Sequence, residues 1–270
     1  MSTVIPQLSL RDALLFSDLA GTLTETDTPF TDQRLDVLLR IASFCRRFIL
    51  VSGQCADDPQ VKQLLTLFND FKSVDFVAYV NRGGMRLSRW DAGFAPDPSY
   101  LETTRLDRTT QEAVVSLANS LLNTLNLKPL IPVSVIDHTA VRINLQPAER
   151  SGFLKVLQAE LSRNGRDDLC AVAEGKTSLF VMRQGVGKRH AVEYELGLQA
   201  ALTPAYYFGN EFGPGGNDRE LFGISHLQCF SIGDSGSHDT QCCGKLADTP
   251  DDLYVWFEAT MKMKKGGSNV

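Results

Sequence analysis

Four short segments of this 270-residue chain end apolar runs with residues that suit one kind of chemistry. Asp18 closes Ala13-Leu14-Leu15-Phe16-Ser17 and is followed by Gly21 and Thr22. Ser52-Gly53 closes Phe48-Ile49-Leu50-Val51, Lys188 follows Gly185-Val186-Gly187, and a glycine-rich stretch carries Asn210, Glu211 and Asp218. A carboxylate can attack phosphorus, a hydroxyl and an ammonium can hold phosphate oxygens, and further carboxylates can hold a charge-neutralising metal; together these are what phosphoryl transfer needs. Singly, each has an ordinary alternative. Asp before Gly is a common turn former, Ser-Gly a common loop start, Lys188 a solvated first-turn residue, and Gly-Gly-Asn-Asp a plain turn. Their order, each at the end of an apolar run, is what points to a shared site.

Convergence requires elements that aim these loops the same way. A strand ending at Asp18, a helix over Asp32 to Cys45, a strand over Phe48 to Val51, a helix over Pro59 to Phe71 and a strand over Asp75 to Val80 alternate as a parallel sheet demands. Strand-end loops of an open parallel sheet face one crevice. After Asn81-Arg82-Gly83-Gly84 the pattern changes, which predicts an inserted unit over 85–184. Within it the spacing reads as a helix over Asp107 to Asn123, a strand over Thr139 to Leu145, a helix over Glu149 to Arg163, and strands over Leu169 to Ala173 and Ser178 to Met182. The first pattern returns at Gly185, with a helix from Lys188 to Ala200, a strand over Ala205 to Phe208, another near Cys229 to Ile232 and a helix from Pro250 to Met263. The expectation is an α/β fold with a core of 1–84 and 185–270.

Composition narrows the function. With 43% hydrophobic residues the chain can bury a sizeable core, and a net charge of -5 with a pI near 5.4 gives no general attraction to nucleic acid. Lys262, Lys264 and Lys265 read as a solvated tail. None of the 6 cysteines has the C-x-x-C spacing of a zinc or redox motif, and His138, His190, His226 and His238 are not spaced as metal ligands. No basic start leads into a long apolar run, and no run approaches the roughly 18 apolar residues of a membrane span. A cytoplasmic protein that binds neither membrane nor nucleic acid is expected. The amphipathic stretch Asp107 to Asn123 either covers the inserted unit's sheet or forms a homodimer contact.

Asp18-Leu19-Ala20-Gly21-Thr22-Leu23-Thr24 resembles the first motif of the haloacid-dehalogenase superfamily, Ser52 the second, Lys188 the third, and the stretch Gly209 to Asp218 the metal-binding fourth. The resemblance spans nearly the whole chain. An insertion between the second and third motifs, followed by Gly-x-x-Lys and Phe-Gly-x-x-x-x-Pro-Gly-Gly-Asn-Asp, is similar to phosphomannomutases and related sugar-phosphate phosphatases. It implies a Rossmann-like parallel-sheet core with an inserted α/β cap domain and a phosphatase acting on a small phosphorylated metabolite through an aspartyl phosphate on Asp18. It also implies Mg²⁺ held by Asp18, the Ala20 carbonyl, Asn210 and Asp218. Substrate would meet Ser52, Gly53 and Lys188, with Arg142, Arg150 and Ser178 from the cap.

Two positions depart from the pattern. The family's general acid stands two residues after the nucleophile, where this chain has Ala20, and a methyl group neither gives nor takes a proton. Asn210 replaces the usual Asp, keeping an oxygen ligand without its charge. Ala20 leaves three explanations open: a deliberate substitution, an enzyme whose leaving group needs no such acid, or a catalytically silent phosphosugar-binding protein. Phosphonoacetaldehyde hydrolases share Asp-x-Ala-Gly-Thr, but too few residues separate Ala20 from the Phe48 run for their helical cap. A second loop, Gly233-Asp234-Ser235, also resembles a metal loop; Asn210 lies nearer Lys188 in sequence and is preferred.

Overall fold

The computed structural model describes residues 8–174, 177–199, 203–214, 216–233 and 244–263. Asp234 and His238 lie outside them. In chain order the first elements are β1 (Leu14–Ser17), α1 (Asp32–Phe44), β2 (Arg47–Val51), α2 (Pro59–Asp70) and β3 (Phe76–Val80). Then come β4 (Met85–Trp90), β5 (Gly93–Pro96), α3 (Pro98–Thr104), α4 (Arg108–Thr124), β6 (Ile131–Ile136), β7 (Ala140–Asn144) and α5 (Pro147–Arg163). The last are β8 (Leu169–Glu174), β9 (Ser178–Arg183), α6 (Lys188–Gly197), β10 (Ala205–Gly209), β11 (Leu227–Ile232), β12 (Gly244–Ala247) and α7 (Pro250–Met263).

An 8-stranded sheet in the order β12-β11-β10-β1-β2-β3-β4-β5 forms the main layer, parallel from β12 through β3. Its inner strands are unbroken apolar runs because both faces are covered. Leu15, Leu50, Ala78 and Phe208 point into the core shared with α1, α2 and α7. Alternate residues Phe16, Ile49, Val51, Tyr79 and Tyr207 point to the opposite core, beneath α3 and α6. The order reverses at β1, which has β10 on one side and β2 on the other, so the crevice of this sheet opens where β1, β2 and β10 end.

The smaller layer is a 4-stranded antiparallel sheet, β6-β7-β9-β8. Val141, Ile143, Leu179 and Val181 face Val114, Ala118 and Leu122 of α4 and Phe153, Leu157 and Leu161 of α5. The apolar face of α4 is thus spent on covering this sheet, the first of its two expected roles. The next residues along the same strands, Arg142, Ser178 and Phe180, fall on the other face. Arg142 stands opposite Phe180 in the β7–β9 register, and Asn144 opposite Ser178.

Strand pairing continues the main sheet past residue 85, where the inserted unit was expected to begin. Asn81, Arg82 and Gly83 take left-handed φ values of 53, 57 and 81°, turning the chain so that β4 returns antiparallel along β3, with β5 paired in turn to β4. These strands belong to the main sheet. Their polar residues mask the period: Arg86 is buried because Tyr79, Asp97 and Glu195 pair with it.

Glu195 of α6 is fully buried and ties three strands to its helix. It accepts from Tyr79 Oη at 2.7 Å and Arg86 Nε at 3.2 Å, and pairs with Arg47. Removing the acid leaves buried Arg86 with Asp97 as its remaining carboxylate and Arg47 with Asp75, and takes the acceptor from Tyr79 Oη, so Glu195→Ala should lower the unfolding free energy by about 3 kcal/mol in urea titration. A loss under about 1 kcal/mol would show that the network is worth no more than a surface pair.

Candidate active site

Asp18 follows β1 directly, its backbone N–H donating to Phe208 O on β10 at 2.9 Å. The chain then makes a tight turn in which the amides of Leu23 and Thr24 return to Leu19 O, and Gly21 N–H donates to Thr24 O at 2.7 Å. Gly21 has φ +79°, and a Cβ there would lie 2.2 Å from the Asn210 amide nitrogen, so both conformation and space demand glycine. Ser52 follows β2, 1% exposed, and its Oγ accepts from Gln54 N–H at 3.1 Å. Asn210 follows β10. Three strand ends thus bring a carboxylate, a hydroxyl and an amide to the reversal point.

Lys188 begins α6, and its side chain runs inward to full burial. Its ammonium lies 3.0 Å from Asp18 Oδ1 and 2.8 Å from Asp218 Oδ1. Asp218 also accepts from Tyr207 Oη at 2.6 Å and, through Oδ2, from Glu211 N–H at 2.8 Å. Asp218, expected among the metal ligands, is fully buried, with Oδ1 engaged by Lys188 and Tyr207 and Oδ2 by Glu211 N–H in the loop after β10.

The Asn210 side-chain amide lies 3.1 Å from both the Ala20 carbonyl oxygen and Asp18 Oδ2. With its nitrogen turned to them it donates to both. With its oxygen turned to them, three oxygens meet without a proton between them, an arrangement that a hard cation relieves. Among the described residues no cluster of 3 or more His, Cys, Asp or Glu side chains forms a metal site. The oxygens on offer are one carboxylate, one carbonyl and one amide.

A cleft of 680 Å³ has a core wall that includes Asp18, Ala20, Ser52, Gly53 and Asn210, and an opposite wall that includes Arg142, Thr177, Ser178 and Phe180. Lys188 and Asp218 are fully buried and do not line it, and Lys188 meets the cleft through Asp18. Arg142 reaches Cys55 Sγ at 3.8 Å, and its Nε is buried without a partner among the described residues. Arg150 does not line the cleft. It belongs to the start of α5, whereas Arg142 sits on the open face of the smaller sheet. Thr26, Asp27, Gln54 and Asp58 also line the cleft and were not singled out from sequence. Asp58 carried one signal, its place before Pro59 in the loop leading from Ser52.

Burial pushes the Asp18 carboxyl up to about 7 against the pull of Lys188, with the charge of Asp218 adding to the rise. Lys188 cannot fully offset the burial because it is shared between two carboxylates. In metal-free buffer Asp18 therefore contributes stability that is complete below its ordinary value of 3.8 and is lost as the pH rises through about 7. Urea unfolding should show lower stability at about pH 8 than at about pH 5, and Asp18→Asn should flatten that difference.

No protein-family model matches the sequence, and no curated protein is similar to it. Solved structures are. A haloacid dehalogenase-like hydrolase from Bacteroides thetaiotaomicron superimposes with a TM-score of 0.66 at 15% identity, covering 94% of this chain and 100% of the other. Aspergillus fumigatus trehalose-6-phosphate phosphatase gives 0.61 at 17% identity over 93% of each chain. Plasmodium falciparum IMP-nucleotidase with IMP bound gives 0.61 at 14% identity, covering 94% of this chain and 69% of the other. With a carboxylate-tipped β1 at the reversal point of a parallel sheet and a smaller sheet set over its strand ends, this chain has the fold of the haloacid dehalogenase-like hydrolases.

Proposed function

We propose that the chain is a phosphatase acting on a sugar phosphate or similar small phosphorylated metabolite. The observation that carries this reading is the Asp18 carboxylate at the sheet's reversal point with the Lys188 ammonium at 3.0 Å and Ser52 at the adjacent strand end. Asp18 attacks phosphorus and forms an aspartyl phosphate. Lys188 and the Ser52 hydroxyl hold the phosphate oxygens, and the Gly53 backbone lets them approach closely. Arg142 and Ser178 meet the remainder of the substrate from the smaller domain. Arg142 Nε, buried and without a partner among the described residues, suits a hydroxyl-bearing group that accepts from it.

The donor set fits Mg²⁺, a hard cation that takes oxygen ligands. Asp18, the Ala20 carbonyl and Asn210 would hold it, and when bound it would neutralise charge on the phosphoryl group. With a single anionic ligand, Asn210 supplying only an amide oxygen, its affinity should be modest.

Ala20 and Asn210 together favour a second reading, a phosphosugar-binding protein that keeps the pocket without turnover. Phosphate release from a panel of sugar phosphates in Mg²⁺ or EDTA separates the two. The phosphatase reading expects release that EDTA stops and that Asp18→Asn lowers by about 10⁴-fold or more. Turnover by Ala20→Asp alone, with the parent chain only stabilised by the phosphosugar, would favour the binding protein.

A further inference from the structure

With a methyl group at position 20, an alkoxide leaving the phosphorus must find its proton elsewhere. Besides Asp18, the carboxyl groups lining the cleft are those of Asp27, Asp58 and Glu211. Asp27 and Glu211 are exposed, whereas Asp58 is half-buried.

Asp58 also stands out by what it does not do. It occupies the N-cap of α2, where an aspartate commonly accepts from a first-turn amide, yet its side chain caps nothing. Its Oδ2 accepts instead from Cys55 N–H at 2.8 Å, closing the turn that leads out of Ser52. Among the described residues its Oδ1 takes no hydrogen bond.

We propose that Asp58 is the proton donor to the leaving oxygen, doing from the second strand's loop what position 20 cannot do from the first. This rests on the phosphatase reading. An Asp18 oxygen attacks phosphorus and the bond to the leaving group breaks. The leaving oxygen takes the Asp58 proton, which leaves Asp58 a carboxylate. Water then attacks the phosphorus of the aspartyl phosphate, whose carboxylate leaving group needs no proton, and the dihydrogen phosphate so formed gives up one proton that reaches Asp58 through solvent. The bond to Asp18 breaks and inorganic phosphate departs, with both side chains restored.

The surroundings suit the role. Burial raises the proton affinity of Asp58 above its ordinary value, and the nearby charges of Asp57 and Asp27 add to it. Cys55 N–H and the Arg142 guanidinium oppose it.

Asp58→Asn tests this cleanly, because the amide oxygen still accepts from Cys55 N–H while the acidic proton is gone. Two esters are compared: glucose 6-phosphate, whose alkoxide needs a proton, and p-nitrophenyl phosphate, whose phenolate does not. On the alkyl ester the variant should lose roughly 10²- to 10⁴-fold in kcat with little change in KM, and the alkaline limb of the kcat–pH profile should vanish. On the aryl ester it should keep its rate. Adding Ala20→Asp to Asp58→Asn should restore turnover of the alkyl ester. Equal losses on both esters, or none on either, would overturn the assignment while leaving the phosphatase reading in place. A parent chain that releases phosphate from neither ester would overturn both.

Discussion

A single lysine ammonium with no access to water sets the terms for this structure. Lys188 enters from the first turn of α6 and is clasped between Asp18 just after β1 and Asp218 beyond β10. A buried charge is tolerated only when fully partnered, and two carboxylates around one ammonium leave an excess negative charge to be satisfied. Tyr207 Oη and Glu211 N–H answer it at Asp218. Gly209 makes room, since a Cβ there would lie 2.4 Å from Asp218 Oδ2. The helix, two strand ends and the loop after β10 therefore have one workable relative placement. The nucleophile's position follows from it.

Much of this was legible in the sequence because the inner strands are buried on both faces. A strand such as β2 reads as an unbroken apolar run closed by Ser52, and β1 as one closed by Asp18. Elements whose burial rests on pairing of polar groups were not legible. β4 carries Arg86, Ser88 and Arg89, and only the three-dimensional partners of Arg86 show that it lies inside the fold. The edge strand β6 is largely exposed and left little periodic trace.

At the site, residue types were readable but their employment was not. Asp218 and Asn210 looked alike as candidate ligands, yet one oxygen set faces Lys188 and the other the turn after β1. Arg142 and Arg150 looked alike as cap contacts. The two-residue period of β7 puts Arg142 on the open face, whereas Arg150 sits in the first turns of α5 and does not line the cleft. Asp58 escaped notice because an aspartate before a helical proline reads as an ordinary cap, and its departure from that job appears only in its hydrogen bonds.

The pairing of β1 with β10 joins Leu14 to Ala205 and Ser17 to Phe208, across the whole insertion. Every pairing of the smaller sheet lies between Ile131 and Arg183. On a ribosome the smaller sheet is therefore complete while one side of β1 still lacks its neighbour, and the main sheet closes only once β10 has emerged. Until then an apolar strand edge of the nascent chain stands open, and that interval is when a chaperone has most to protect.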